Sequence, residues 1–471
     1  MPDHPAENRP RYARIPSGQH GLAPGLVSAD QRARLHAAMV QVVAETGYVG
    51  TTVKAVLSRA GVSRRTFYDN FKDKQDCFIS AFDAVLGDWM RQGALAYQET
   101  LASNDIKDAV RARLCAGLLA LFGRVLSDPL GAQVILIEVL NCGEPGLRRL
   151  EQAVDELKRM VERAFGAPEE PPGLPPEMIK VIVGGVLEIV TSRLRHDKTD
   201  ELLLLTEPLV AWMLSYRSPD AAAIVARARA DPPATAVPTG MPAADPTGER
   251  LERELGSAPL WRDESARPIA LQEQQARIIQ ATTSLVSDGG YAALSLNKIA
   301  RAAGVSHHTI RKYFNTANEA FTAAYRAGSR AMIAYCLKAY TAETDWRSAV
   351  HAGLAAQLRF LATNPELARI GFLEIYAAGS ELLELRETEL QLVTAALEPG
   401  YRETAATPPP HEVVSEAIRG GIYRITQEFL LHNPPEQLPT LLPEETYAAL
   451  APFVGAEAAA SVAARSASSA E

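Results

Sequence analysis

The sequence predicts an all-α protein in which one two-domain unit occurs twice in tandem. Apolar residues recur at the i, i+4, i+7, i+8 spacing of a helix face. Ala and Leu dominate many of these periodic segments and aromatic residues make up only 6%, which favours an all-α chain. A pattern centred on Gly61 returns around Gly304, 243 positions later.

Residues 1–27 are rich in Pro, Gly and polar residues, show no apolar period, and read as a flexible arm. Arg9, Arg11 and Arg14 lie in it, either tracking phosphates or a minor groove or simply solvated. From Asp30 to Thr46, Leu35, Met39, Val42 and Val43 mark one helix face, and Gly47 ends it. Thr51 or Thr52 then caps a short helix carrying Val53, Val56, Leu57 and Ala60. Gly61 supplies the positive φ of a helix end, and Val62 plugs the corner. Ser63 caps a second helix with Phe67 and Phe71 at i and i+4, which completes a helix-turn-helix.

Charge placement sharpens that reading. Arg64 and Arg65 occupy the first turn of the second helix, where the helix dipole disfavours a cation by about 0.3–1 kcal/mol. Arginine is the side chain best suited to guanine edges and phosphates. The bland alternative is a solvated basic turn with Arg65 paired to Asp69 at i+4.

Further helices are expected near 75–101, 105–127, 130–141, 145–165, 175–196 and 199–216, before a Pro- and Gly-dense linker. The unit then repeats. Ser295, Ile299, Ala303, Ser306 and Phe314 answer Thr52, Val56, Ala60, Ser63 and Phe71. Beyond the head, LIEVLNCG (136–143) returns as FLEIYAAG (372–379), and Gly184-Gly185 and His196 as Gly420-Gly421 and His432, at an offset of 236. The expected division is a flexible arm (1–27), head 1 (28–74), core 1 (75–217), linker (218–268), head 2 (269–317), core 2 (318–456) and a flexible tail (457–471).

Through Thr52, Val56, Leu57, Ala60-Gly61-Val62-Ser63, Thr66-Phe67-Tyr68, Phe71 and Lys74, the first head resembles the TetR family of ligand-responsive bacterial transcriptional regulators. The resemblance covers about fifty residues in each half. It implies a three-helix head, a larger helical core that binds small molecules, and two last helices that pair in a four-helix bundle. Carried over, it puts Thr52, Tyr68 and Lys74 at positions that touch phosphates. Arg64, Arg65, Thr66, Asp69 and Asn70 fall on the reading helix facing bases, with arginine suited to guanine and Asn70 to adenine. The second head departs from the pattern. Arg311 replaces Tyr68, Ala317 replaces Lys74, and His307-His308 replaces the arginine pair, leaving Thr309, Lys312 and Tyr313 as further candidate contacts. That head either contributes contacts or keeps its fold and binds DNA weakly or not at all.

The implied partners are a double-stranded DNA operator and a small-molecule effector, with repression the family's usual output. Two units in one chain suggest an intramolecular pseudo-dimer, helices of 175–216 against helices of 411–455, on an asymmetric operator. A dimer of tandem chains is the alternative. Trp89, Glu138, Glu374 and Tyr376 are candidate ligand contacts, set against the simpler readings of core aromatics and surface-paired charges.

Other features of the sequence argue against further classes. No Walker A, GxSxG, HExxH or dinucleotide glycine fingerprint occurs, so an enzyme is not expected. Four cysteines without ligand spacing predict no metal site and a reduced, cytoplasmic setting, and no cofactor is implied. Apolar runs such as 134–140 are too short for a bilayer. A net charge of −8 leaves room only for a local basic patch. A small-molecule-binding or scaffold protein that no longer reads DNA with one or both heads is the competing class.

Overall fold

The computed structural model describes residues 24–103, 108–166, 173–230, 269–404 and 409–465. Among these residues the chain is all-α, with no strand, and no helix is long and apolar enough to cross a membrane. The arm carrying Arg9, Arg11 and Arg14, and most of the expected linker, lie outside the described residues. The described chain forms two compact bodies: residues up to 98 with 120–153, and residues 99–119 with 154 onward.

The first body opens with α1 (Pro24–Gly50), α2 (Val53–Ala60), α3 (Arg64–Asn70) and the start of α4 (Lys74–Ser103). Leu35, Met39, Val42 and Val43 of α1 are buried, as their spacing predicts, and Gly47 breaks the helix with φ 69°. The end of α5 (Ala109–Ser127) and α6 (Pro129–Gln133) follow. The continuous helix expected over 130–141 is interrupted. α6 widens into a π turn, Val134–Glu138, tightens to a 3-10 turn, Leu140–Cys142, and stops at Gly143 with φ 76°. Only then does α7 (Glu144–Phe165) begin.

The second body holds the rest of α5 and α7, then α8 (Met178–Arg195), α9 (Thr206–Leu214) and α10 (Pro219–Ala230). α10 corrects the expected linker start at 218: its Arg229 donates to Glu177 at 2.6 Å and Glu444 at 3.1 Å, and these partners hold the segment helical. The second head is α11 (Ile269–Gly289), α12 (Leu296–Ala302) and α13 (His307–Ile310). The second core is α14 (Ala317–Ala342), α15 (Trp346–Thr363), α16 (Pro365–Arg369), α17 (Ser380–Glu403), α18 (Val413–His432) and α19 (Leu442–Val454). A π turn, Ile370–Glu374, and a 3-10 turn, Ile375–Ala378, repeat the irregularity of the first core. The tail expected from 457 instead begins with α20 (Ala456–Ala463), whose Ala459, Ala460 and Val462 are buried.

The centre of this body is the crossing of α8 with α18, which explains why the late helices of the first repeat group with the second. A Cβ on Gly184 would lie 2.5 Å from Cβ of Arg424, and one on Gly421 would lie 2.5 Å from the Val181 carbonyl oxygen. Reciprocally, Gly420 faces Glu188 and Gly185 faces the Ala417 carbonyl. The 236-residue offset equates Gly184 with Gly420, Gly185 with Gly421, Val181 with Ala417 and Glu188 with Arg424. The contacts therefore obey a local two-fold relation, as an isologous interface does. Glycine is needed at all four positions because any side chain would overlap the facing helix. Arg193 grips Glu416 with two nitrogens at 2.9 and 3.0 Å, while Lys180 and Lys158 reach Glu428 at 3.1 and 2.6 Å. Tyr216 donates to the Ala448 carbonyl at 2.9 Å, and Tyr447 donates to that of Tyr216 at 2.8 Å.

α19 is buried along its whole length, including Glu444 and Glu445. Burial pushes the Glu445 carboxyl up to about 8, against which its hydrogen bond from Thr426 at 2.8 Å pulls only partly. A carboxyl raised in the folded state favours folding while protonated. Stability from Glu445 is thus full below its ordinary value of 4.5 and is lost as pH rises toward 8. Glu445→Gln, which keeps the acceptor for Thr426, should match wild type near the bottom of that window. It should melt higher at the top, with the difference growing by up to about 1.4 kcal/mol per pH unit. Thermal unfolding of both proteins as a function of pH checks this.

Candidate nucleic-acid interface

In the first head the local sequence sets the geometry. The Thr52 hydroxyl accepts from the Ala55 amide at 3.2 Å, so Thr52 rather than Thr51 caps α2; Thr51 is buried and bonds to the Gly47 carbonyl. Gly61 takes φ 62° and Ser63 caps α3 by accepting from Thr66 at 3.0 Å. Phe67 and Phe71 sink into the head. With those two facing inward, Arg64, Arg65, Tyr68 and Asp69 stand exposed, and Thr66 and Asn70 are half-buried. Arg65 reaches Asp69 only at 4.0 Å, with its own side chain 91% exposed. Such a pair contributes about 0–1 kcal/mol and leaves the guanidinium free to engage a ligand. Arg64 lies 5.7 Å from the Tyr68 ring centroid, a cation–π contact that orients both side chains. Asn70 donates one amide hydrogen to the Thr66 carbonyl at 2.8 Å, which fixes its direction.

Lys74 has a different place from the other basic residues. Its ammonium donates to the Tyr48 and Thr51 carbonyls at 2.9 and 3.1 Å and sits 4.2 Å from the Tyr48 ring. Burial holds its pKa below the ordinary lysine value. Two of its three hydrogens thereby tie the start of α4 to the turn between α1 and α2. Whatever it offers a phosphate comes from the third.

Glu138 and Glu374 also act on these turns. Glu138 accepts from the Tyr48 amide at 2.7 Å and from the Asn141 side chain at 3.2 Å. Glu374 accepts from the Tyr291 amide at 2.9 Å and is paired with Arg369. Each carboxylate projects from a π turn of its core onto the amide that follows the head's positive-φ glycine, Gly47 or Gly290. An ordinary α-helix would turn that carboxylate elsewhere, which gives the π turn a physical reason. Both candidate ligand contacts thus have their carboxylates engaged on the head, where they brace it against the core.

The second head keeps the frame and changes the surface. Ser295 and Ser306 cap α12 and α13, Gly304 takes φ 64°, and Ile310 and Phe314 are buried. Its reading helix is shorter, ending at Ile310 instead of continuing through the positions equivalent to Asp69 and Asn70. Arg311, Lys312 and Tyr313 consequently sit in a tight turn, with Tyr313 donating to Gln274 at 3.1 Å. His307, His308, Arg311 and Lys312 are exposed and Thr309 is half-buried. Ala317 cannot provide the brace that Lys74 gives; a bond from Tyr291 to Asn318 at 3.0 Å stands there instead.

The model of the family described as bacterial regulatory proteins, tetR family, matches residues 35–81 and again residues 278–322. These are the two heads. Each head thus matches the tetR family. A curated relative, the uncharacterized HTH-type transcriptional regulator YezE of Bacillus subtilis (strain 168), is 33% identical over 87 residues, which are 18% of this chain and 43% of the relative. The chain thus spans less than half of that relative's length. The fatty acid metabolism regulator protein of the same organism is 24% identical over 189 residues, 38% of this chain and 91% of that protein. Among solved structures, the fatty acid degradation regulator FadR of Bacillus halodurans has 20% identity and a TM-score of 0.34, covering 36% of this chain and 92% of its own. FadR of Bacillus subtilis, solved in complex with stearoyl-CoA, has 20% identity and a TM-score of 0.33, with coverages of 39% and 97%.

In the second core, α14, α15, α17 and α18 enclose a cavity of about 580 Å³. Met332, Leu337, Phe360 and Val393 give it apolar walls, and Arg386, Glu389, Arg419 and Tyr423 add polar groups. Neither Glu374 nor Tyr376 lines it; Tyr376 lies behind the wall with its hydroxyl on that of Tyr423 at 3.4 Å. Trp89, in the first body, is a core residue whose indole N–H donates to Asp128 at 3.0 Å. The wall residues missed by sequence reasoning had one available signal. Arg419 lies between Ile418 and Gly420-Gly421, on the stretch that packs most closely, and a charge there demands a buried partner.

Lys74→Met should keep the helices but free the Tyr48 and Thr51 carbonyls. The loss is expected to be about 1–3 kcal/mol of stability, confined to the first body. Hydrogen exchange at the amides of 47–53 should accelerate by the corresponding factor while that of the second head stays unchanged.

Proposed function

We propose that this tandem TetR-family chain is a transcriptional regulator that binds double-stranded DNA through its heads and represses until a small-molecule effector binds a core. We further propose that its two repeats pair with each other, so that one chain acts as a pseudo-dimer on an asymmetric operator. The observation that carries this is the charge pattern across α8 and α18. Arg193 meets Glu416, and Lys180 meets Glu428. Under the same two-fold relation, the first-repeat equivalents of Glu416 and Glu428 are Lys180 and Ser192. Pairing two first repeats would set Arg193 against Lys180; pairing two second repeats would set Glu416 against Glu428. Each like pairing loses both ion pairs and brings like charges together, which is how coded interfaces reject the wrong partner.

The asymmetry of the heads supports the asymmetric operator. Head 1 presents Arg64 and Arg65 on a seven-residue helix, and head 2 presents His307 and His308 on a four-residue one. Arginine offers a bidentate fork to guanine that histidine lacks. The first head therefore supplies most of the base reading, while the second adds orientation and weaker contacts through Thr309, Arg311 and Lys312. Release follows if the effector binds one arrangement of the core more tightly than the other; equal affinity would move nothing.

In gel shifts on neighbouring promoter fragments, Arg64→Ala/Arg65→Ala should abolish specific binding, at about 1–3 kcal/mol per lost base contact. His307→Ala/His308→Ala should weaken it less. The wild-type chain should be monomeric by light scattering at micromolar concentration. Arg193→Glu should disrupt operator binding, and adding Glu416→Arg, which reverses that ion pair, should restore it. A homodimer at low concentration, or a strict preference for a perfect palindrome, would count against the pseudo-dimer.

A further inference from the structure

We infer that the cavity of the second core is a binding site for an acidic amphiphile, an extended apolar body whose carboxylate is received by Arg386. This names the effector class for the function proposed above and rests on that reading only for its regulatory meaning. The cavity is long. Its wall on α14 runs from Tyr325 to Tyr340, a rise of about 22 Å, and on α17 from Arg386 to Arg402, about 24 Å. Its volume of about 580 Å³ falls within the range of ordinary ligand pockets. Apart from a few polar groups, the lining is aliphatic and aromatic. A slender apolar chain suits that shape.

The polar end decides the head group. Arg386 is 3% exposed, and its Nε is buried without a hydrogen-bond partner. Its charge faces the Tyr423 ring, 3.8 Å from the centroid, and a Glu188 oxygen at 4.0 Å, rather than a bidentate acceptor. Arg419 beside it donates to Glu387 at 2.7 Å, yet its own Nε is likewise buried without a partner. Buried guanidinium donors without acceptors are costly, and a carboxylate matches their fork geometry. Glu389 on the same wall is in the opposite condition. One oxygen accepts from Tyr325 at 2.7 Å and the other from Ser329 at 2.6 Å, and burial raises its pKa. On this wall Glu389 is a satisfied acid, while Arg386 and Arg419 share the single Glu188 carboxylate, whose own Oε1 also lacks a bond, and each keeps a buried Nε without an acceptor, which favours an entering anion over a cation.

Glu188 gives the site a second property. It belongs to α8 of the first repeat, and its carboxylate lies 4.0 Å from Arg386 and 3.7 Å from Arg419. A ligand carboxylate on Arg386 would compete with Glu188 for the same positive charge. Occupancy is thereby felt at the α8–α18 crossing.

The test is calorimetric titration of the full-length, delipidated chain with laurate, dodecanol, dodecylammonium and lauroyl-CoA. Laurate should bind at least about tenfold more tightly than dodecanol, the factor expected for charge-assisted bonds. Arg386→Met should erase that ratio while leaving dodecanol affinity unchanged, with circular dichroism confirming the fold. Arg386→Lys, which keeps the charge but loses the fork, should retain an intermediate ratio and serves if the methionine variant fails to fold. Met332→Trp, which fills the apolar body, should weaken laurate and dodecanol alike. Equal laurate and dodecanol affinity, or a ratio unaffected by both Arg386 variants, would overturn the inference. So would preference for dodecylammonium, which would make Glu389 the anchor, or binding of lauroyl-CoA without laurate. Operator gel shifts without any ligand read the regulatory function separately, so either reading can fail alone.

Discussion

The close approach of α8 and α18 is the constraint on which the second body depends. Two helices can touch backbone to backbone only where neither carries a side chain, and four glycines meet that condition at one crossing. Once the helices are that close, the flanking positions are fixed. Glu188 must lie against Gly420 and Arg424 against Gly184, and the ion pairs at Arg193 and Lys180 close the two ends. The aromatic hydroxyls of Tyr216 and Tyr447 then find carbonyls on opposite sides. Because Glu188 is held there, it also reaches the arginines on the wall of the second cavity.

A second theme is how a core speaks to its head. In each repeat a π turn aims one glutamate at the first amide beyond a glycine of positive φ. The acceptor is charged and the donor is backbone, so the bond is strong and directional. In the first repeat Lys74 braces the same turn from the other side through the Tyr48 carbonyl. In the second repeat that brace is absent, and the Glu374 carboxylate is shared with Arg369. The two heads are thus held by different bonds as well as bearing different surfaces.

Much of this was legible in the sequence, and the reasons are local. Ser63, Gly61, Phe67 and Phe71 specify a turn and two helices through caps, a positive φ and a short apolar period, none of which needs a distant partner. The repeat was visible because the same local rules recur at Gly304 and Ser306. Distance defeats such reasoning. Glu138 looked like a pocket residue because its acceptor role depends on an amide ninety positions away and on a π turn that periodicity does not signal. Arg229 sat in a stretch read as linker, and its partners Glu177 and Glu444 come from elsewhere in the fold. The polar end of the cavity was missed because Arg386 and Glu389 meet Tyr423 only when α17 and α18 are assembled.

The pairing of Glu188 with Gly420 and of Arg424 with Gly184 has an evolutionary consequence. In a protein assembled from two identical subunits, every substitution at a two-fold contact appears on both sides at once, so an acid introduced at such a position must face its own copy's surroundings. Joining the two halves in one polypeptide removes that restriction. Positions 188 and 424, equivalent under the 236-residue offset, carry opposite charges. Each half can then change by single steps, and a change in one is answered by the other rather than duplicated. Carrying both sides of the contact in one chain leaves each of them adjustable independently of the other.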